Sequence, residues 1–88
     1  MKRYYIVYKG QVQGVGFRWK LMHIASKYNL TGYVRNLSNG DVETEVQGYG
    51  VDEFLEESLQ QDYYIDIEDY AIKQIDLVSN EENYKVIY

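Results

Sequence analysis

The sequence predicts an α+β fold in which two helices cover one face of a mainly antiparallel sheet. Three observations support this prediction: short runs with alternating side chains, two stretches with apolar residues at helical spacing, and an Asn-Gly pair between two of the runs. With 88 residues and a hydrophobic fraction of 45%, the chain is expected to form one domain that spans residues 1–88.

The chain is predicted to begin with a strand followed by a helix. Residues 3–11 alternate in direction, with Tyr4, Ile6 and Tyr8 on one side, and are rich in aromatic and β-branched residues. Residues 19–30 are predicted to form the first helix. Its apolar face repeats at helical spacing and consists of Phe17, Leu21, Ile24, Ala25 and Tyr28.

A hairpin is predicted next, with strands at residues 32–37 and 41–48. Residues 38–41 read Ser-Asn-Gly-Asp, which is typical of a type I′ turn because Asn and Gly tolerate the positive φ angles that this turn requires. The strand at 41–48 alternates strictly, so we expect one buried face and one solvated face. The side expected to be buried carries Val42, Thr44 and Val46, and the side expected to be solvated carries Glu43, Glu45 and Gln47.

The second half of the chain is predicted to supply another helix and two more strands. The helix is indicated by the spacing of Val51, Phe54, Leu55 and Leu59. Residues 60–69 are interpreted as a loop, residues 70–78 as a strand with a bulge, and residues 84–88 as a short terminal strand. The resulting order, βαββαβ with one extra short strand, is that of a ferredoxin-like sandwich.

Composition excludes several kinds of site. Without cysteines, the chain holds no disulfide, thiolate zinc site or cysteine nucleophile. The 11 tyrosines suit half-buried strands, whereas a base-stacking nucleic-acid surface conflicts with the net charge of −5. No signal peptide or membrane-spanning stretch is recognised in the sequence, so we expect a cytoplasmic protein.

The charge is distributed unevenly along the chain. Residues 1–40 carry seven basic and no acidic residues, whereas residues 41–88 carry two basic and 14 acidic residues. This asymmetry has two explanations. Either the two halves form solvated faces of opposite charge, or the basic half binds a small anion.

A glycine-rich loop connects the first predicted strand to the first helix, and reads Gly-Gln-Val-Gln-Gly-Val-Gly-Phe-Arg over residues 10–18. Glycines let the backbone approach a ligand closely and let successive N–H groups form an anion-binding nest. The N-terminus of the following helix adds unpaired N–H groups, and Arg18 adds a guanidinium that can bind two phosphate oxygens. We therefore predict a phosphate site without a metal.

Two nucleotide-binding motifs do not fit this loop. A Walker loop has four residues between its glycines and a following Lys-Ser or Lys-Thr, but only three residues separate Gly10 from Gly14 and no such pair follows. A dinucleotide fingerprint has a glycine three residues after its second one, where this chain has Trp19.

Two further motifs lie downstream of the loop: residues 32–36 read Gly-Tyr-Val-Arg-Asn, and residues 39–43 read Asn-Gly-Asp-Val-Glu. Together with the loop, they resemble the acylphosphatases, small cytosolic enzymes that hydrolyse the carboxyl–phosphate bond of acyl phosphates. The resemblance covers nearly the whole chain. It implies a ferredoxin-like hydrolase that converts an acyl phosphate to a carboxylate and inorganic phosphate.

The resemblance also implies which residues form the site. Arg18 is expected to bind the phosphate together with loop N–H groups, and Asn36 to orient the attacking water, which makes these two the predicted catalytic residues. The phosphate-binding segment consists of Gln13, Gly14, Val15, Gly16, Phe17 and Arg18. No metal and no cofactor are expected, and we expect a monomer that binds neither nucleic acid nor membrane.

Other functions fit the sequence less well than this one. A non-catalytic phosphate- or partner-binding module of the same fold is the alternative, although a chain ending at Tyr88 without an appended domain favours a free enzyme. A single-stranded RNA binder would need a basic sheet face, against which the acidic second half argues. His23 lies five residues after Arg18, roughly 140° around the helix, so we expect it at the surface and outside the site.

Overall fold

The computed structural model describes all residues, 1–88, and confirms the predicted fold class. Five strands form one sheet in the order β4-β1-β3-β2-β5, and only the β2–β5 pair is parallel. The elements in chain order are β1 (Lys2–Gln11), α1 (Phe17–Lys27), β2 (Thr31–Asn36), β3 (Val42–Gly48), α2 (Val51–Ser58), β4 (Asp66–Ile75) and β5 (Tyr84–Val86).

Both helices pack on one face of the sheet, and the core lies between them and the strands. The Tyr8 ring of β1 meets Phe17, the first residue of α1, edge to face with the ring centroids 4.8 Å apart. The Tyr8 hydroxyl donates a 2.7 Å hydrogen bond to Ser58 Oγ in α2. These contacts fix the start of α1 against the central strands and thereby position the loop that precedes it.

The β2–β3 turn differs from the predicted type I′ turn. Only Gly40 has a positive φ (98°), whereas a type I′ turn needs two such residues. The Leu37 N–H donates to the Asp41 carbonyl (2.8 Å), and the Gly40 N–H donates to the Leu37 carbonyl (3.2 Å). The connection therefore has three residues rather than two, and Asn39 stabilises it by accepting a 3.1 Å hydrogen bond from the Asp41 N–H.

The prediction for residues 60–78 is partly wrong. β4 begins at Asp66, inside the predicted loop, and ends at Ile75 rather than at residue 78. Its bulge lies at Glu68, before the stretch in which we expected it, because Lys9 pairs with Asp69 and Gly10 pairs with Ile67. β4 is an edge strand with mostly exposed side chains, so neither of its faces imposes the alternation that marks a half-buried strand.

The expectation of a solvated face on β3 is wrong for Glu43 and Gln47, which are 6% and 9% exposed. β3 lies between β1 and β2, and long side chains from both neighbours cover it. The Tyr5 hydroxyl donates to Glu43 Oε1 (2.6 Å), and Arg35 Nε donates to Glu43 Oε2 (2.7 Å). Burial favours a raised pKa for Glu43, but hydrogen bonds from Tyr5, Arg35 and Tyr33 outweigh it and lower the pKa.

A second basic side chain completes this arrangement on the face away from the helices. Arg3, only 2% exposed, donates from Nε to Glu45 (2.8 Å) and from both terminal nitrogens to Glu81 (2.7 and 3.1 Å). We call this set of paired side chains the sheet-face network. It consists of Arg3, Tyr5, Tyr33, Arg35, Glu43, Glu45, Gln47 and Glu81.

Candidate active site

The loop between β1 and α1 has the backbone geometry of an open cradle. Gly14 and Gly16 have φ angles of 72° and 82°, in the left-handed region that side chains with a Cβ rarely adopt. A Cβ placed on either glycine would meet no atom within 4 Å. These glycines therefore serve the backbone conformation and not tight packing, and the loop faces open space that a ligand can enter.

The N-terminus of α1 is free to interact with an anion. Gly16 is its N-cap, no side chain caps the helix, and its first turn contains no acidic residue. The first N–H groups of an α-helix have no partner within the helix, and the helix dipole places partial positive charge there. A helix with this end uncapped and next to an open loop offers several N–H donors to a bound phosphate.

Arg18 lies in the first turn of α1, half-buried, where its charge opposes the helix dipole. It takes part in none of the ion pairs of the structure and in none of its side-chain hydrogen bonds. Its guanidinium carbon lies 5.3 Å from the centroid of the Tyr88 ring. The guanidinium donors are thus available for an anion, whose charge would relieve the unfavourable position.

Asn36 is the last residue of β2 and lies on the helix side of the sheet. It follows the buried Val34 by two positions, so both side chains lie on the same face, and it pairs with Val42 of β3. Its Oδ1 atom is buried and has no hydrogen-bond partner within the protein. Leaving a buried acceptor unpaired costs about 1–3 kcal/mol, so an unpaired oxygen at this position indicates a ligand or water that belongs there.

Gln13 ties the loop to the β2–β3 turn. Its Nε2 donates to the Leu37 carbonyl (2.7 Å) and to the Asp41 carbonyl (2.8 Å), the two residues that close the turn after Asn36. The sequence motif pointed to the backbone N–H of Gln13, whereas the role of its side chain depends on two carbonyls that are distant in sequence. Nothing in the local spacing indicates this contact.

A pocket of about 230 Å³ opens beside the loop. Four of the predicted phosphate-binding residues line it, namely Gly14, Gly16, Phe17 and Arg18. The other two do not, because Gln13 is engaged with the turn and Val15 packs against the hydrophobic core. Asn36 is not among the lining residues either, and it is connected to the loop through the turn that Gln13 holds. The remaining lining residues are Val12, Trp19, Met22, Val86 and Tyr88.

The other candidate residues lie outside this site. His23 is exposed, as expected, and its ring packs on that of Trp19 with the centroids 4.0 Å apart. Glu43 and Glu45 belong to the sheet-face network on the opposite side of the sheet. The structure contains no group of three His, Cys, Asp or Glu side chains placed to hold a metal ion, and none of its helices has the length and apolarity needed to span a bilayer.

Comparison with known sequences gives matches over nearly the whole chain. The family model for acylphosphatase matches residues 4–86. The acylphosphatase of Clostridium acetobutylicum is 37% identical over 90 aligned positions, which cover 100% of this chain and 99% of that protein.

Solved structures of related proteins share this fold. The acylphosphatase of Bacillus subtilis superposes with a TM-score of 0.93 at 28% identity, over the full length of both chains. HypF of T. kodakarensis is 34% identical with a TM-score of 0.82, but the match covers only 12% of that chain. The family match over nearly the whole sequence and the full-length relative at 37% identity establish that this chain belongs to the acylphosphatase family.

Proposed function

We propose that this chain hydrolyses acyl phosphates through a site formed by the residue 13–18 loop, Arg18 and Asn36. Water attacks phosphorus, the bond between phosphorus and the carboxylate oxygen breaks, and the products are a carboxylate and inorganic phosphate. Membership of the acylphosphatase family supports the reaction class. The assignment of roles to individual residues rests on the physical state of each side chain.

The loop and Arg18 are assigned to binding the phosphoryl group. The uncapped N-terminus of α1 and the open backbone at Gly14 and Gly16 supply N–H donors, and the unpaired Arg18 supplies a charged fork. Phosphoryl transfer depends mostly on positioning and on stabilising charge at the equatorial oxygens. These donors are held by the fold before the substrate arrives, so they need little reorganisation during the reaction.

Asn36 is assigned to holding the attacking water. Its buried and unpaired Oδ1 is the single observation that carries this proposal, because that atom can accept a hydrogen bond from a water molecule. The amide NH₂ of the same side chain can donate, so one residue can orient a water next to a phosphoryl oxygen. Gln13 supports this role by fixing the turn that follows Asn36.

The leaving group explains why so few titratable groups are needed. A carboxylate leaves readily without protonation, and none of the side chains that line the pocket is a carboxylate or an imidazole. We assign the proton of the attacking water to an oxygen of the phosphoryl group itself. The reaction then proceeds without a protein base, and no cofactor is required by the proposal.

The test is hydrolysis of benzoyl phosphate by the purified chain in the presence of a metal chelator. We expect turnover in the wild type and a loss of about 10²-fold or more in both Arg18→Ala and Asn36→Ala, with the circular dichroism of all three proteins unchanged. Unchanged rates in either folded variant reject the role of that residue. No turnover in the wild type rejects the reaction.

The alternative is a phosphate-binding module without turnover, which the likeness to a short part of HypF motivates. Both functions predict that inorganic phosphate protects the amides of residues 13–18 from hydrogen exchange. Only the enzyme releases phosphate from benzoyl phosphate, so the same assay separates them. Within the proposal, the chain acts as a cytoplasmic, monomeric single domain over residues 1–88 that binds neither nucleic acid nor membrane.

A further inference from the structure

The pocket beside the loop has two chemically different walls. One wall consists of Gly14, Gly16 and Arg18, the backbone and guanidinium that the proposed function uses for phosphate. The rest of the lining is apolar, and six of the nine lining residues are hydrophobic. We call this the apolar wall, and define it as Trp19, Met22 and Val86. A phosphate ion has only polar oxygens on its surface, so it makes no use of this wall.

Two of the three residues of the apolar wall are exposed to solvent, whereas Val86 is partly buried against the hydrophobic core. Trp19 is 67% exposed and Met22 is 37% exposed, although both lie beside a pocket that could bury them. The indole of Trp19 packs on His23, which limits its rotation and keeps the ring next to the pocket. Exposed apolar surface beside a pocket with few polar groups is typical of a ligand-binding site.

The position of the wall relative to Arg18 identifies its occupant. Met22 follows Arg18 by four residues, so the two side chains lie on the same face of α1 about one turn apart. In an acyl phosphate, a single oxygen links phosphorus to the acyl carbon. A phosphoryl group held by Arg18 therefore brings its own acyl group within reach of Met22 and Trp19.

The charges around the pocket restrict the chemistry of this acyl group. Arg18 is the only charged side chain among the lining residues. The two lysines of α1 are already engaged, Lys20 with the Gln60 carbonyl (3.0 Å) and Lys27 with Glu57 (2.9 Å). A second carboxylate on the acyl group would thus be placed against apolar atoms with no partner, which is costly.

We propose that the apolar wall binds the acyl group, and that the site selects acyl phosphates with an aromatic or branched hydrocarbon acyl group over those with a small or charged one. This inference rests on the proposed function, because the wall acts on a substrate whose phosphoryl group Arg18 holds. The pocket volume of about 230 Å³ lies below the range of about 300–1,000 Å³ for drug-sized ligands, and so suits a small acyl phosphate.

The test compares kcat/KM for benzoyl, acetyl and succinyl phosphate in the wild type, Trp19→Ala and Met22→Ala. The substrates differ in intrinsic reactivity, but that difference is the same for every variant and cancels when preferences are compared between proteins. We expect the preference for benzoyl over acetyl phosphate to fall by about 5–20-fold in Trp19→Ala, mainly through the KM of benzoyl phosphate, and by less in Met22→Ala. The preference for benzoyl over succinyl phosphate is expected to fall in Trp19→Ala as well, because the wall stabilises only the apolar acyl group.

The matched control is Lys27→Ala, an exposed position at the far end of α1 that does not line the pocket. Its preference for benzoyl over acetyl phosphate is expected to equal that of the wild type. If both wall variants keep the wild-type preference, or lose activity equally on both substrates, the inference is wrong and the proposed function stands. If the wild type hydrolyses none of the three substrates, the proposed function and this inference both fail.

Discussion

The two faces of the sheet carry polar groups in opposite states. In the sheet-face network, Glu43 accepts from Tyr5, Tyr33 and Arg35, and Arg3 is paired with two carboxylates. On the helix side, the Arg18 guanidinium has no ion pair, and Asn36 Oδ1 is buried without a partner. Two clusters rich in polar side chains thus lie only one sheet apart, one fully paired and the other left open.

This difference separates stability from function. A buried polar group with partners adds to the free energy of unfolding, whereas one without partners costs free energy unless a ligand completes it. Glu43 and Glu45 are neighbouring carboxylates of the kind that a catalytic pair needs, yet each already accepts hydrogen bonds from at least two side chains of the network. We therefore expect substitutions in the network to affect stability, and substitutions at the open site to affect activity.

The largest expected effect on activity is that of Arg18→Ala. We expect kcat/KM for benzoyl phosphate to fall by about 10²–10³-fold, since a preorganised charged donor is lost. The free energy of unfolding should not decrease, because the change removes a positive charge from the N-terminal turn of α1. Arg18→Lys keeps the charge but loses the two-pronged geometry, so its kcat/KM should lie between those of the wild type and Arg18→Ala. Urea unfolding together with the assay measures both quantities, and a destabilised but active Arg18→Ala would contradict the comparison.

Gln13→Met is expected to have a smaller effect than Arg18→Ala. Removing the amide frees the loop from the Leu37 and Asp41 carbonyls, and the resulting displacement should lower kcat/KM by about 10–100-fold. The matched control is Lys9→Met, which removes the 2.7 Å ion pair to the Asp41 side chain at the same turn without touching the loop. Equal activity losses in the two variants would show that activity depends on the stability of the turn itself. The hydrogen bonds from Gln13 to the turn would then have no separate effect on activity.

Glu43→Gln should leave kcat/KM unchanged and reduce stability. The substitution removes a buried carboxylate from three donors, at an expected cost of about 1–3 kcal/mol in the free energy of unfolding. Chemical denaturation of wild type and variant at neutral pH measures the loss. A fall in kcat/KM of the folded variant would place the network in the catalytic machinery, against the present account.

The smallest expected effect is the pH dependence of the stability that Glu43→Gln loses. The pKa values of Glu43 and Glu81 are lowered in the folded state, so their contribution to stability is fully present above the pKa of an unfolded glutamate, about 4.3. It is lost as the pH falls through the folded-state pKa values. The stability difference between wild type and Glu43→Gln should therefore shrink as the pH is lowered from 6 towards about 3. If the stability difference between the two proteins stays constant over this pH interval, the pKa of Glu43 is not lowered by folding.

Much of the fold and the site follows from local sequence. The glycines at 14 and 16, the arginine at 18 and the strand-to-helix transition lie within one short segment, and the structure brings three of these residues to one pocket. The alternation of Val42, Thr44 and Val46 likewise predicts the buried side of β3. In each case the deciding interaction involves residues near one another in the chain or on the face of a single element.

The features that sequence did not predict depend on distant neighbours. Glu43 is buried because β1 and β2 flank β3 and send Tyr5 and Arg35 across it, and strand order is not encoded in the alternation of one strand. The start of β4 at Asp66 was missed because an edge strand with two exposed faces has no periodic signal. The Gln13 side chain acts on carbonyls more than 20 positions away, and any residue type supplies a carbonyl.

The most direct test of the account is the effect of Asn36→Ala on turnover compared with its effect on phosphate binding. The account assigns Asn36 to the water and Arg18 to the phosphate, and an alanine at position 36 removes an unpaired oxygen without breaking a hydrogen bond. We predict that kcat for benzoyl phosphate falls by about 10²-fold, while inhibition by inorganic phosphate keeps its wild-type value and the free energy of unfolding does not decrease. An Asn36→Ala protein that keeps the wild-type kcat, or that loses phosphate binding in proportion to its activity, would contradict it.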